Sequence, residues 1–128
     1  MQTIINSNKA PKAIGPYSQA ICVEAKKMLF VSGQIPLCPE SMSVVKQDIE
    51  WQTDRVLQNL QAILQEAGVS LHEVVKVTIY LTDMSHFVAV NNIYEKFFAD
   101  HKPTRVCLAV KELPKNSLIE MDAIAVIS

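Results

Sequence analysis

P-T-R-V-C-L-A-V, from Pro103 to Val110, and L-I-E-M-D-A-I-A-V, from Leu118 to Val126, both alternate with the two-residue period of a strand. In the first, Val106, Leu108 and Val110 make an apolar face while Arg105, Cys107 and Ala109 point the other way. In the second, Ile119, Met121, Ala123, Ala125 and Ile127 form the apolar side, opposite Glu120 and Asp122. Pairing of the two strands through the turn E-L-P-K-N-S would carry Arg105 and Glu120 on one sheet face. A guanidinium is a permanently charged fork for carboxylates and phosphates, and a carboxylate beside it can move protons or position water. The pair points to an anion site next to an acid/base group, with a structural ion pair as the alternative.

The chain has 128 residues, 49% of them hydrophobic and only three of them glycine, which fits one ordered, soluble domain over residues 1–128. Its formal charge is −1 and its Lys and Arg residues are scattered, so nucleic acid is not expected as a partner. The densest basic spot, Lys26-Lys27, reads as a solvated turn. The start of the chain lacks a signal-peptide apolar core, and no run approaches the ~20 apolar residues of a membrane span. A cytoplasmic protein without a membrane partner is expected. Cys22, Cys38 and Cys107 form no C-x-x-C, and His72, His86 and His101 lack metal-ligand spacing, so neither a disulfide framework nor a metal site is indicated. Cys107 as a nucleophile would need a histidine base; as a small buried strand residue it needs nothing.

Outward from these strands the period changes twice. Ile49, Val56, Leu60, Ile63, Leu64 and Ala67 recur at three- and four-residue steps, giving a helix over Asp48 to Ala67 that Gly68 closes. Val74 to Leu81 is β-branched and alternating, and T-D-M-S then caps a second helix, Ser85 to Asp100, with a stripe of Phe87, Val90, Ile93 or Tyr94, and Phe97. Tyr17 to Ala25 and Met28 to Ile35 read as a hairpin turning at Lys26-Lys27, with a short strand at Thr3 to Asn6. The order β-β-α-β-α-β-β predicts an α+β fold, a mostly antiparallel mixed sheet with both helices on one face. The other face is left apolar and uncovered, which suggests that sheets of several subunits pack together.

These segments resemble the RidA (YjgF) family of reactive-intermediate deaminases over essentially the whole chain. The likeness lies in A-P-K-A-I-G-P-Y-S-Q-A, V-S-G-Q-I-P at Val31 to Pro36, Q-N-L-Q-A-I-L-Q-E-A-G, V-V-K-V-T-I-Y-L-T-D, P-T-R-V-C-L-A-V-K-E-L-P and I-E-M-D-A-I-A. The resemblance implies a chorismate-mutase-like fold and a homotrimer with three sites in the clefts between subunits. It implies hydrolysis of enamines and imines such as 2-aminoacrylate and 2-iminobutanoate, released by pyridoxal-phosphate enzymes, to 2-oxo acids and ammonia, without a cofactor or metal.

Carried over residue by residue, Arg105 is the clamp on the substrate carboxylate and Glu120 orients or deprotonates the attacking water. Tyr17 and Ser32 match site-lining positions, and Asn91 a position nearby. Gly33, Ile35 and Cys107 match substrate-contacting backbone, so the Cys107 thiol is not assigned a role. Two departures bear on substrate preference: Val106 stands where many relatives have serine, and D-M-S-H-F at Asp83 to Phe87 where many read D-L-N-D-F. The segment A-D-H-K before Pro103 is shorter than in many relatives, and the first hairpin longer. Two other functions compete. An endoribonuclease or translation inhibitor could set Arg105 on phosphate, but the chain shows no histidine pair, metal carboxylates or basic groove. A non-catalytic ligand-binding or holdase-like module would keep the cleft without turnover.

Overall fold

The computed structural model describes residues 2–127. Its strands are β1 (Gln2–Ile5), β2 (Ala20–Val23), β3 (Lys27–Gln34), β4 (Leu37–Cys38), β5 (Ser43–Val44), β6 (Val74–Leu81), β7 (Thr104–Ala109) and β8 (Ile119–Ile127). Two helices, α1 (Ile49–Glu66) and α2 (Phe87–Phe98), interrupt them. The main sheet runs β3-β8-β6-β7; β6 and β7 are parallel and the other neighbours antiparallel. This is the α+β arrangement expected from the pattern.

Helix α1 begins where Asp48 accepts from the Trp51 amide at 2.8 Å, and ends where Gly68 takes a left-handed φ of 71°. The amides of Gly68 and Val69 then donate to the Gln65 and Leu64 carbonyls, the paired bonds of a Schellman cap. Its buried stripe is Val56, Leu57, Leu60 and Leu64, packed on Val77, Ile79, Leu81, Ile119, Met121 and Ala123 of the sheet. Each such fully buried aliphatic side chain contributes about 1.5–3 kcal/mol. Gln52, also buried, donates to the Lys46 carbonyl at 2.9 Å and accepts from the Leu118 amide at 2.8 Å, fixing the entry to β8. In α2 the buried residues are Val90, Tyr94 and Phe98, one position along from the expected Phe97.

Three expectations are corrected. The two strands first quoted are not partners: β8 lies between β3 and β6, and β7 pairs only with β6. The nine residues between them carry the chain across the end of β6 instead of turning tightly. Nor do the early strands form the expected hairpin, because β2 pairs with β1 and β3 with β8. Tyr17 precedes β2 in a loop, and a small β4–β5 hairpin occupies the breaker-rich segment.

The third correction concerns the faces. Arg105 and Cys107 stand opposite Val77 and Ile79, whose side chains are buried under the helices. Arg105 and Cys107 therefore share the helix-covered face, while Val106 and Leu108 stand opposite Thr78 and Tyr80 on the open one. Glu120 and Asp122, opposite Tyr80 and Thr78, are also on the open face. That face exposes Phe30 (67%), Met28 (57%), Val106 (49%) and Leu108 (38%) beside Lys76, Tyr80, Glu120 and Asp122. Among the described residues no helix is long and apolar enough to cross a membrane, and no group of three His, Cys, Asp or Glu could hold a metal ion.

Candidate functional site

The residues singled out by sequence fall into two clusters. The first surrounds Arg105. Because β7 turns this side chain toward the helices, the guanidinium meets α2, where Phe87, Asn91 and Tyr94 lie four and three residues apart on one helical face. Its Nη1 donates to the Asn91 Oδ1 at 2.6 Å. Its central carbon stands 5.2 Å from the ring centre of Tyr94, 5.5 Å from that of Tyr17 and 5.7 Å from that of Phe87. Such contacts favour a cation by ~0.5–1 kcal/mol each at exposed sites and more when desolvated.

Tyr17 is delivered by a loop tied down at several points. Ser18, 8% exposed, donates through Oγ to the Lys102 carbonyl at 2.5 Å, and its amide donates to the Pro103 carbonyl at 3.3 Å, immediately before β7. Gln19 Nε2 donates to the Pro11 carbonyl at 2.6 Å, and Gln19 Oε1 accepts from the Ser7 amide at 2.6 Å. Gly15 packs beside Arg105: a Cβ there would stand 3.6 Å from Nη2. Among the described residues Arg105 makes no ion pair. Burial pushes the Cys107 thiol up, and the nearby Arg105 charge opposes this only in part. Burial likewise pushes the Tyr94 phenol well above its ordinary range; its hydroxyl is buried without a hydrogen-bond partner among the described residues.

The second cluster gathers at the opposite edge strand. A bulge between Val31 and Gln34 of β3 holds Ser32 and Gly33, and the Glu120 carboxylate fills the space where a Cβ at Gly33 would project. Two clefts open here. One of about 340 Å³ is lined by Ser32, Gly33, Tyr80 and Asp122; the other, about 390 Å³ and more apolar, by Gly33, Ile35, Asn59 and Ile63. Asn59 on α1 donates to the Ile35 and Leu37 carbonyls at 3.3 and 2.9 Å, which fixes the segment beyond the bulge. Tyr80 donates to Asp122 Oδ2 at 2.9 Å, and that bond is the chief cause of its raised phenol pKa. Among the described residues Glu120 has no side-chain hydrogen bond and no ion pair, so its oxygens are available.

Tyr17, Asn91, Arg105 and Cys107 thus come together, and so do Ser32, Gly33, Ile35 and Glu120. The two sets do not meet within one chain. Strands β7 and β8 are two spacings apart, about 10 Å, and Arg105 and Glu120 leave the sheet on opposite faces. Sequence reasoning missed Gly15, Phe87, Tyr94 and Ser18. The signal for part of it was present: Asn91 is a polar residue on the α2 face that also carries Phe87 and Tyr94.

A one-sided α+β sheet of this topology, with two helices packed on it, is the chorismate-mutase-like fold that the resemblance implied. The chain belongs to the family described as endoribonuclease L-PSP, whose model matches residues 7–127, and its relatives carry Rid and RutC names. A RutC family protein of Pyrococcus abyssi is 54% identical over 95% of this chain and 94% of its own length. The Escherichia coli protein named "Putative reactive intermediate deaminase TdcF" is 41% identical over 98% of each chain. Its crystal structure with bound serine aligns at a TM-score of 0.76, covering 98% of this chain and 99% of that one. A Rid family protein of Yersinia pestis is 41% identical at a TM-score of 0.77, covering 99% and 100%.

Proposed function

We propose that this chain is a deaminase that hydrolyses reactive enamines and imines, of the 2-aminoacrylate and 2-iminobutanoate type released by pyridoxal-phosphate enzymes, to 2-oxo acids and ammonia. The observation that carries this reading is Arg105, a guanidinium mounted among aromatic rings with no counter-ion among the described residues. That is the chemistry of a carboxylate clamp. The related TdcF, solved with bound serine, is a protein of this fold that takes a small amino acid.

An imine carbon is already electrophilic, so the residues need only to orient it and manage protons. Arg105 holds the carboxylate, with Tyr17 and the backbone at Cys107 beside it. Glu120 takes a proton from water as the oxygen bonds to the imine carbon. The nitrogen gains protons, the C–N bond breaks with its electron pair leaving as ammonia, and the oxygen becomes the 2-oxo group. Gly33 leaves room for the Glu120 carboxylate, and Ser32 and Ile35 line the approach.

Opposite faces of one sheet cannot build this site, so the Glu120 cluster of a second copy completes the Arg105 cluster of the first. A head-to-tail ring closes such contacts, and the homotrimer that the resemblance implies would cover the exposed Phe30, Met28, Val106 and Leu108. We place the protein in the cytoplasm, where such intermediates are released, with the whole chain acting as one domain.

The test couples purified protein to a threonine dehydratase and follows decay of the released imine. Faster decay with enzyme supports the reading; decay at the uncatalysed rate contradicts it. The family description also names an endoribonuclease, so a parallel incubation with single-stranded RNA belongs beside it. The net charge of −1 speaks against that activity.

A further inference from the structure

Among the described residues Arg105 is held by neutral groups alone. Nη1 donates a hydrogen bond to a carboxamide oxygen, Asn91 Oδ1, at 2.6 Å, and three rings surround the rest. The titratable groups packed against it are Tyr17 from the loop, Tyr94 from α2 and Cys107 from its own strand. Burial holds the Tyr94 phenol and the Cys107 thiol toward their neutral forms. An aspartate has the shape of asparagine and would bind a guanidinium more strongly. It would also cancel the charge. A neutral acceptor fixes one prong of the fork and leaves the charge uncompensated, while Gly15 presents no side chain to Nη2.

We propose that Asn91 is a positioning residue that fixes the Nη1 edge of Arg105 without neutralising it, Phe87 and Tyr94 completing the mount from the same face of α2. This rests on the reading of Arg105 as carboxylate clamp, and it gives Asn91, which the resemblance puts near the site, a role through Arg105 and not through the substrate.

The test compares Asn91→Asp with Asn91→Ala in the full chain, by calorimetric titration of 2-oxobutanoate and by thermal melting. The alanine variant loses orientation, and its affinity should fall ~10-fold, the scale of one hydrogen bond to a charged group. A carboxylate beside an arginine is favoured by one to three pK units, so the aspartate variant should lose ~10- to 10³-fold and bind more weakly than the alanine variant. It should melt no lower than the alanine variant, because the internal ion pair forms. An aspartate variant that binds better than the alanine variant, or melts well below it, overturns the proposal. In an Arg105→Ala background, neither change at Asn91 should alter the residual imine hydrolysis; a further fall of tenfold shows direct substrate contact and also overturns it. Wild-type protein that binds 2-oxobutanoate without hydrolysing imines leaves the positioning role standing and removes the deaminase reading. Wild-type protein that binds no carboxylate removes both.

Discussion

Replacing Arg105 by lysine keeps the positive charge and removes the fork. In the native arrangement Nη1 is committed to Asn91 and the planar group is bracketed by Tyr17, Phe87 and Tyr94, so one edge is presented in a fixed direction. An ammonium on a flexible stem satisfies either Asn91 or the substrate, and no plane is left for the rings to hold. Losing one charge-assisted hydrogen bond costs about 1.5–3 kcal/mol, and misplacing the imine carbon by about 1 Å costs on the order of 10²-fold more. The expected fall in kcat/KM is ~10³-fold or greater, with about a tenfold rise in KM and the remainder in kcat. Stability should change little, because no ion pair among the described residues is broken; about 1 kcal/mol, or roughly 3–5 °C in Tm, is the expected limit. The assay is imine decay in the coupled dehydratase reaction, with melting as the control. Kinetics within threefold of wild type would refute the two-pronged clamp. Collapse of the fold would show Arg105 to be structural instead.

Gly33→Ala should leave the protein folded, because its new methyl meets only the movable end of the Glu120 side chain, yet displace that carboxylate and lower imine hydrolysis at least ~10-fold; unchanged turnover would separate Glu120 from the reaction. Tyr94→Phe removes a buried hydroxyl that has no partner among the described residues, so the melting temperature should hold or rise by the equivalent of ~1 kcal/mol, and a clear drop would reveal a partner formed only on assembly. Since burial raises the Cys107 pKa, its thiolate fraction is depleted until pH rises above the usual thiol range. Iodoacetamide at pH 8 should therefore label exposed Cys22 before Cys107, as peptide mapping would show, and the reverse order would contradict that environment.

The helical and strand periods carried most of the fold. The α1 stripe, its glycine stop and the alternating β6 were legible because each is set by local burial and capping. Strand partnership was not, since β7 and β8 are consecutive in sequence but separated in space by β6. The strand–helix–strand crossover of α2 makes β6 and β7 parallel neighbours, a consequence of topology that the alternation of residues 103–126 does not encode. Face assignment failed for a related reason. Val106 and Leu108 look like a core stripe, yet they are partly exposed on the open face while Arg105 and Cys107 turn under the helices. Val106, one of the departures from the family pattern, consequently alters the open face and not the mount of Arg105. Of the candidate site, Arg105 and Glu120 were legible as residue types; their placement on two different faces emerged only from the register of β6 against both neighbours.

The claim that one site draws Arg105 from one copy and Glu120 from another is tested most directly by subunit mixing. Arg105→Ala and Glu120→Gln proteins, each with only a small residual activity alone, are unfolded together in equal amounts and refolded, and imine hydrolysis is measured. In a head-to-tail ring assembled at random, about one quarter of the sites pair an intact Arg105 with an intact Glu120, so about a quarter of wild-type activity should return. A mixture as inactive as its components would place both residues of each site in a single chain and contradict the account.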